Sequence, residues 1–120
     1  MEHTHEAGSL IGADKVQGTE VYNASGEHLG EIHEVMIDKF SGKVAYAVMS
    51  FGGFLGIGEQ YHPLPWSQLD YDTDQGGYVV NLTTETLEGA PTYDAKTPPA
   101  WGDRVYEQRI HDYYGAPPYW

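Results

Sequence analysis

The sequence predicts a mainly β domain, a small barrel or sandwich, with one helix appended at its C-terminal end. Runs of β-branched and aromatic residues alternate with Gly, Pro, Asn and Ser turn signals roughly every ten residues. One long helical pattern, Trp101 to Tyr114, stands apart behind a proline-rich linker. The chain has 120 residues, 40% of them apolar, which suits a single modest core.

Met1 to Gly8 is polar and acidic and reads as a flexible terminus. Ser9 to Gly18 brings Leu10, Ile11 and Val16 to one edge of the core. Thr19 to Asn23 is a strand that enters a turn at Ala24-Ser25-Gly26-Glu27. Leu29 to Asp38 fits two patterns. Leu29, Ile32 and Met36 have helical spacing, whereas Val35 and Ile37 alternate as in a strand. Turn residues on both sides favour a strand, and a β-bulge near His33-Glu34 would return both Ile32 and Val35 to the core.

Val44 to Phe51 is the clearest strand, apolar on both faces and therefore expected to be covered on both. It forms a hairpin with the preceding strand about Lys39 to Lys43. A glycine loop, Gly52 to Gly58, then leads to Gln60-Tyr61-His62 and Pro63-Leu64-Pro65-Trp66. Two prolines mark that segment as an edge. Leu69 to Asp72 and Tyr78 to Leu82 form a second hairpin, and Thr84 to Glu88 one helical turn capped by Thr84 and stopped by Gly89. Pro91 to Pro99 is a linker. The helix beyond it, Trp101 to Tyr114, places Val105, Tyr106, Arg109, Ile110 and Tyr113 at helical spacing and stops at Gly115.

Composition excludes several classes of function. The formal net charge is −12, from 18 acidic and 6 basic residues. Direct nucleic-acid binding needs clustered Lys and Arg, and so does an anionic membrane surface. Without cysteine, disulfides, thiol nucleophiles and Cys-ligated zinc are out. No apolar run reaches the ~20 residues of a spanning helix, so no membrane insertion is expected. With no export signal in view, the expected location is cytoplasmic.

The motifs are weak when tested against their chemistry. The glycine loop does not open into a helix, so it is not a phosphate cradle, and Phe54, Leu55 and Ile57 are expected to pack or to meet a partner. Asp70, Asp72 and Asp74 imitate the start of a calcium loop, but Gln75 and Asn81 stand where that loop needs Gly and Glu. A solvated acidic hairpin is the better reading. The six histidines show no convergent ligand spacing, and no nucleophile elbow occurs. Only His62 with nearby acids would serve a hydrolytic reading. The expectation is therefore a protein that is not an enzyme and uses no cofactor. Tyr113, Tyr114, Tyr119 and Trp120, crowded around Pro117 and Pro118, either dock on the parent domain or form an interface.

Val21 to Ile32, Val35 to Asp38, Ser41 to Val44, and the run from Gly52 to Glu59 into His62-Pro63-Leu64-Pro65-Trp66 together resemble the PRC-barrel domain family. The resemblance covers residues 9–93, leaving 1–8 as a flexible terminus and 94–120 as linker, helix and aromatic tail. It implies a compact β-barrel of about six strands with a C-terminal helical extension. The same domain occurs in the H subunit of photosynthetic reaction centres and in a ribosome maturation factor, where it is a protein-interaction module. The implied function is non-catalytic protein binding or assembly, with self-association as a homodimer. The partner protein is not named by the sequence. The rival reading is a barrel that binds a small ligand or a metal ion.

Overall fold

The computed structural model describes residues 9–51 and 60–120. Its elements are α1 (Ala13–Val16), β1 (Glu20–Asn23), β2 (His28–Ile37), β3 (Val44–Phe51), β4 (Gln60–Pro65), β5 (Asp70–Asp72), β6 (Gly77–Val80), α2 (Thr84–Glu88) and α3 (Arg104–Tyr114). The six strands form one sheet in the order β4-β3-β2-β1-β6-β5. All neighbours are antiparallel except β1 and β6, which pair in parallel.

Local sequence sets the turns. The Asn23 side chain accepts hydrogen bonds from the Ser25 and Glu27 amides and from the Ser25 hydroxyl, which closes the β1–β2 turn. Asp38 does the same for β2–β3, accepting from Ser41 Oγ at 2.6 Å and from the Phe40 and Ser41 amides. Between β2 and β3, Ile32 faces Met49 and Glu34 faces Val48, so His33 is the extra residue of a bulge. The bulge expected at His33-Glu34 is there, and it does what it was expected to do. Ile32 is buried and Val35 packs against the same core.

β3 is covered on both faces, as its apolar pattern predicted. Ala47 and Met49 join Val21, Leu29, Leu64 and Val80 in the main core. On the other side Ala45 and Tyr46 form a second cluster with Ile110 of α3. Each fully buried aliphatic side chain contributes about 1.5–3 kcal/mol relative to exposure. Gly30 of β2 lies so close to β3 that a Cβ there would run into the Ser50 carbonyl.

One expectation requires correction. The barrel does not close, because no ladder joins β4 to β5 among the described residues. The outer edge of β4 explains the opening. Tyr61 gives its amide to Tyr93 and accepts the Tyr93 amide in return. Pro63 and Pro65 share the parity of Tyr61, so their missing N–H groups fall on that same outer edge. That edge offers one amide, already taken by residue 93, and the chain crosses to β5 through a 3-10 turn at Trp66–Gln68.

The long helix is also shorter than its pattern suggested. It starts at Arg104, because Asp103 accepts from the Val105 and Tyr106 amides as its N-cap. Trp101 lies before it. At the other end Gly115 takes φ 66, the left-handed stop that glycine adopts without strain. Thr83, not Thr84, caps α2.

His62 lies on β4 opposite Met49, 2% exposed, with its ring edge-on to Phe51. Burial alone lowers its pKa from 6.5 to about 4, and among the described residues its Nδ1 has no hydrogen-bond partner. The unfolded chain therefore takes up the proton first as pH falls. Stability is full above pH 6.5 and drops between 6.5 and about 4, by on the order of 3 kcal/mol. Urea midpoints at pH 7 and pH 4.5 should fall further for the wild type than for His62→Leu. Equal falls would contradict the assignment. Separately, Gly30→Ala should cost about 1–3 kcal/mol through the clash with Ser50. An unchanged melting temperature would refute that.

Candidate functional site

The most highly organised polar group lies where α3 crosses β3. Glu107, Ile110 and His111 fall at i, i+3 and i+4 and make the buried face of α3. Two of the three are ionisable, and a buried carboxylate needs hydrogen-bond donors. Glu107 is 1% exposed and has three. The Tyr46 hydroxyl donates to Oε1 at 2.9 Å, the Tyr119 hydroxyl donates to Oε1 at 2.6 Å, and the Gly102 amide donates to Oε2 at 2.6 Å. Because Tyr46 gives its one proton to Glu107, His111 Nε2 is the donor in its 2.9 Å contact with the Tyr46 oxygen. The other ring nitrogen lies 3.3 Å from the Ala116 carbonyl. Burial first, and then the Glu107 carboxylate, push the Tyr46 hydroxyl well above the ordinary tyrosine range. The same two causes raise Tyr119.

Arg104 covers this group from outside. Its guanidinium donates to the Tyr119 hydroxyl at 3.0 Å and lies 3.8 Å from Glu107 Oε1. It also sits 4.3 Å from the centre of the Trp120 ring, a cation–π contact. The hairpin end, the first turn of α3 and the C-terminal residues thus meet at one place. Between them is a cleft of about 70 Å³. Tyr46, Trp101 and Tyr119 supply its aromatic surface, and Asp38 and Glu107 supply its two carboxylates.

The residues singled out from the sequence fall in three groups. Phe54, Leu55 and Ile57 lie outside the described residues. The tail aromatics are mostly engaged within the chain. Tyr119 is tied to Glu107, Tyr114 packs against both core clusters, and Tyr113 donates to the Thr86 carbonyl at 2.5 Å. Trp120 remains 47% exposed under Arg104. In the acidic hairpin, Asp72 accepts from the Asp74 and Gln75 amides and from the Gln75 side chain, so it caps its own turn. Those bonds hold its carboxyl below the usual carboxylate range. Asp70 and Asp74 are exposed beside it, and among the described residues no three His, Asp or Glu side chains are grouped to hold a metal ion. His62 has no charged group among the causes of its shift.

Sequence reasoning missed Glu107, His111 and Arg104. It set Val105 and Arg109 at helical spacing with Ile110, yet both are exposed while Ile110 is buried. The available signal was the i, i+4 spacing of Glu107 and His111 about Ile110. Hydropathy hides it, because these polar side chains are buried only where the Tyr46 hydroxyl meets them.

An open six-stranded sheet with its last helix pinned by a buried polar cluster defines a small β domain with a docked C-terminal extension. The PRC-barrel domain model matches residues 9–87, about two thirds of the sequence, and the chain belongs to that family. It is also similar to an uncharacterized protein of Deinococcus radiodurans, 22% identical over 95 residues. The match spans 79% of this chain but 31% of that protein's length. Among the described residues no helix is long and apolar enough to cross a membrane.

Tyr46→Phe removes the hydroxyl that serves both Glu107 and His111. It should cost about 1–3 kcal/mol. The loss should concentrate in α3, whose amides exchange faster with solvent while those of β2 keep their protection. A loss spread evenly over sheet and helix would show that the hydroxyl does not hold the helix specifically.

Proposed function

We propose that this chain is a non-catalytic interaction module that binds another protein and self-associates. One observation carries the reading. Large apolar side chains are left exposed on the segments that meet around the Glu107 cluster. They are Ile37 and Phe40 of the β2–β3 hairpin, Val105 of α3 and Trp120 of the tail. Phe40 is 93% exposed and Val105 74%. Exposed apolar side chains on segments that converge on one place support an interaction surface there. Family membership supports the class of function, and the cluster beneath serves structure, because its polar groups are tied to one another.

The net charge of −12 favours a basic partner through electrostatic steering. Sedimentation velocity across a concentration series should show self-association by the wild type, weakened in a Phe40→Ser, Val105→Ser double variant. Both positions are on the surface, so the variant should keep its fold. Affinity capture with both proteins should return a basic partner with the wild type and lose it with the variant. A monomer at every concentration, together with no stoichiometric partner, would remove the reading.

A further inference from the structure

The six basic side chains are unevenly placed. Lys39, Lys43, Arg104 and Arg109 belong to the β2–β3 turn and α3. Residues 44–95 contain no Lys or Arg and seven acidic residues. The net charge of −12 conceals this separation, and the tip at residues 39–43 carries two lysines and no acid.

Lys39 and Lys43 are exposed, and among the described residues neither makes an ion pair. Between them Phe40 leaves its ring in water, where it adds nothing to the core. The tip holds its shape through its own bonds. The Asp38 amide donates to the Lys43 carbonyl at 2.8 Å, the Gly42 amide donates to the Asp38 carbonyl at 2.7 Å, and Gly42 takes φ 79. The Asp38 carboxylate is taken up by the Ser41 hydroxyl and the Phe40 and Ser41 amides, which leaves the lysines as the outward charges. A tip fixed in this way loses little freedom on binding. A phenyl ring between two unpaired ammonium groups matches an aromatic spot bordered by carboxylates.

The chain's own surface supplies that complement. Asp70, Asp74, Glu85 and Glu88 are exposed on the β5–β6 hairpin and α2, and none has an ion pair among the described residues. Tyr71, 49% exposed on β5, offers a ring beside them. We infer that the β2–β3 tip docks on the β5–β6 and α2 surface of a second copy of this chain. The inference rests on the interaction reading above and names where self-association takes place. Charges are screened beyond about 8 Å at physiological salt, so the local match outweighs repulsion between two like net charges. A lipid surface or a nucleic acid is the poorer match, since its continuous phosphates would face the acidic body as well as the tip.

The test is carbodiimide coupling, which joins a lysine amine to a carboxylate in contact with it, applied to an equal mixture of unlabelled and nitrogen-15-labelled full chain. Peptides that join one isotope to the other should link Lys39 or Lys43 to carboxylates within residues 70–88. A Lys39→Arg, Lys43→Arg variant should lose those links and keep its self-association in sedimentation velocity. Lys39→Glu, Lys43→Glu should weaken self-association about ten-fold. Lys15→Glu, Lys96→Glu shifts the net charge equally and should weaken it far less. Mixed-isotope links that are absent, that join the tip to other carboxylates, or that form as often from Lys96 overturn the inference, and so do equal losses in the two Glu variants. If Phe40→Ser, Val105→Ser weakens self-association and reversal of Lys39 and Lys43 does not, this inference alone falls. If the wild type is monomeric throughout and capture returns a basic partner, this inference falls and partner binding stands. If the tip links form and capture returns nothing, this inference stands and the outside partner falls.

Discussion

The hydrogen bond between Tyr46 and Glu107 is the contact on which the upper layer of the molecule depends. A carboxylate taken out of water is costly unless donors replace the lost hydration. Tyr46 brings one from the sheet, Gly102 one from the loop before α3, and Tyr119 one from the tail. The sheet, the loop before α3 and the tail after it are thus fixed by one side chain. Helix α3 has only Ile110 as a fully buried apolar residue. Its packing would be weak if Glu107 and His111 were not satisfied. The apolar half of the interface contributes area, and the polar half decides the register in which α3 lies on β3.

The same strand explains why the sheet has the order it has. β3 is central to the packing because it is apolar on both faces, and it holds the main core on one side and α3 on the other. β4 ends the sheet because prolines remove the outward donors at residues 63 and 65. The bridge from Tyr61 to Tyr93 then turns the remaining edge contact toward the linker. The linker is thereby brought back along β4, and Trp101 reaches Tyr46, with ring centres 5.6 Å apart. An unpaired edge is a liability for aggregation, and prolines together with a covering segment are standard protection.

Much of this was legible in the sequence wherever the controlling interactions are local. Turn residues, the two-faced β3, the bulge at His33 and the stop at Gly115 all follow from a few neighbouring residues. The parallel pairing of β1 with β6 did not, since it joins segments more than fifty residues apart through backbone bonds that carry no side-chain signature. The buried face of α3 was misjudged for a different reason. Hydropathy ranks Val105 above Glu107, but burial there is decided by the Tyr46 hydroxyl on a distant strand. A polar residue is placed in a core by its partner, and a single residue does not announce its partner.

Glu107 therefore has two duties that cannot be varied independently. It anchors α3 on the sheet, and it fixes the loop before the helix and the tail beyond it through Gly102 and Tyr119. Each donor favours the one arrangement in which Tyr46, Gly102 and Tyr119 converge on the carboxylate. Conversely, loosening the tail removes the Tyr119 donor and alters the wall of the cleft at the same time. The tail is held there by Tyr119 on Glu107 and by Arg104 on Trp120.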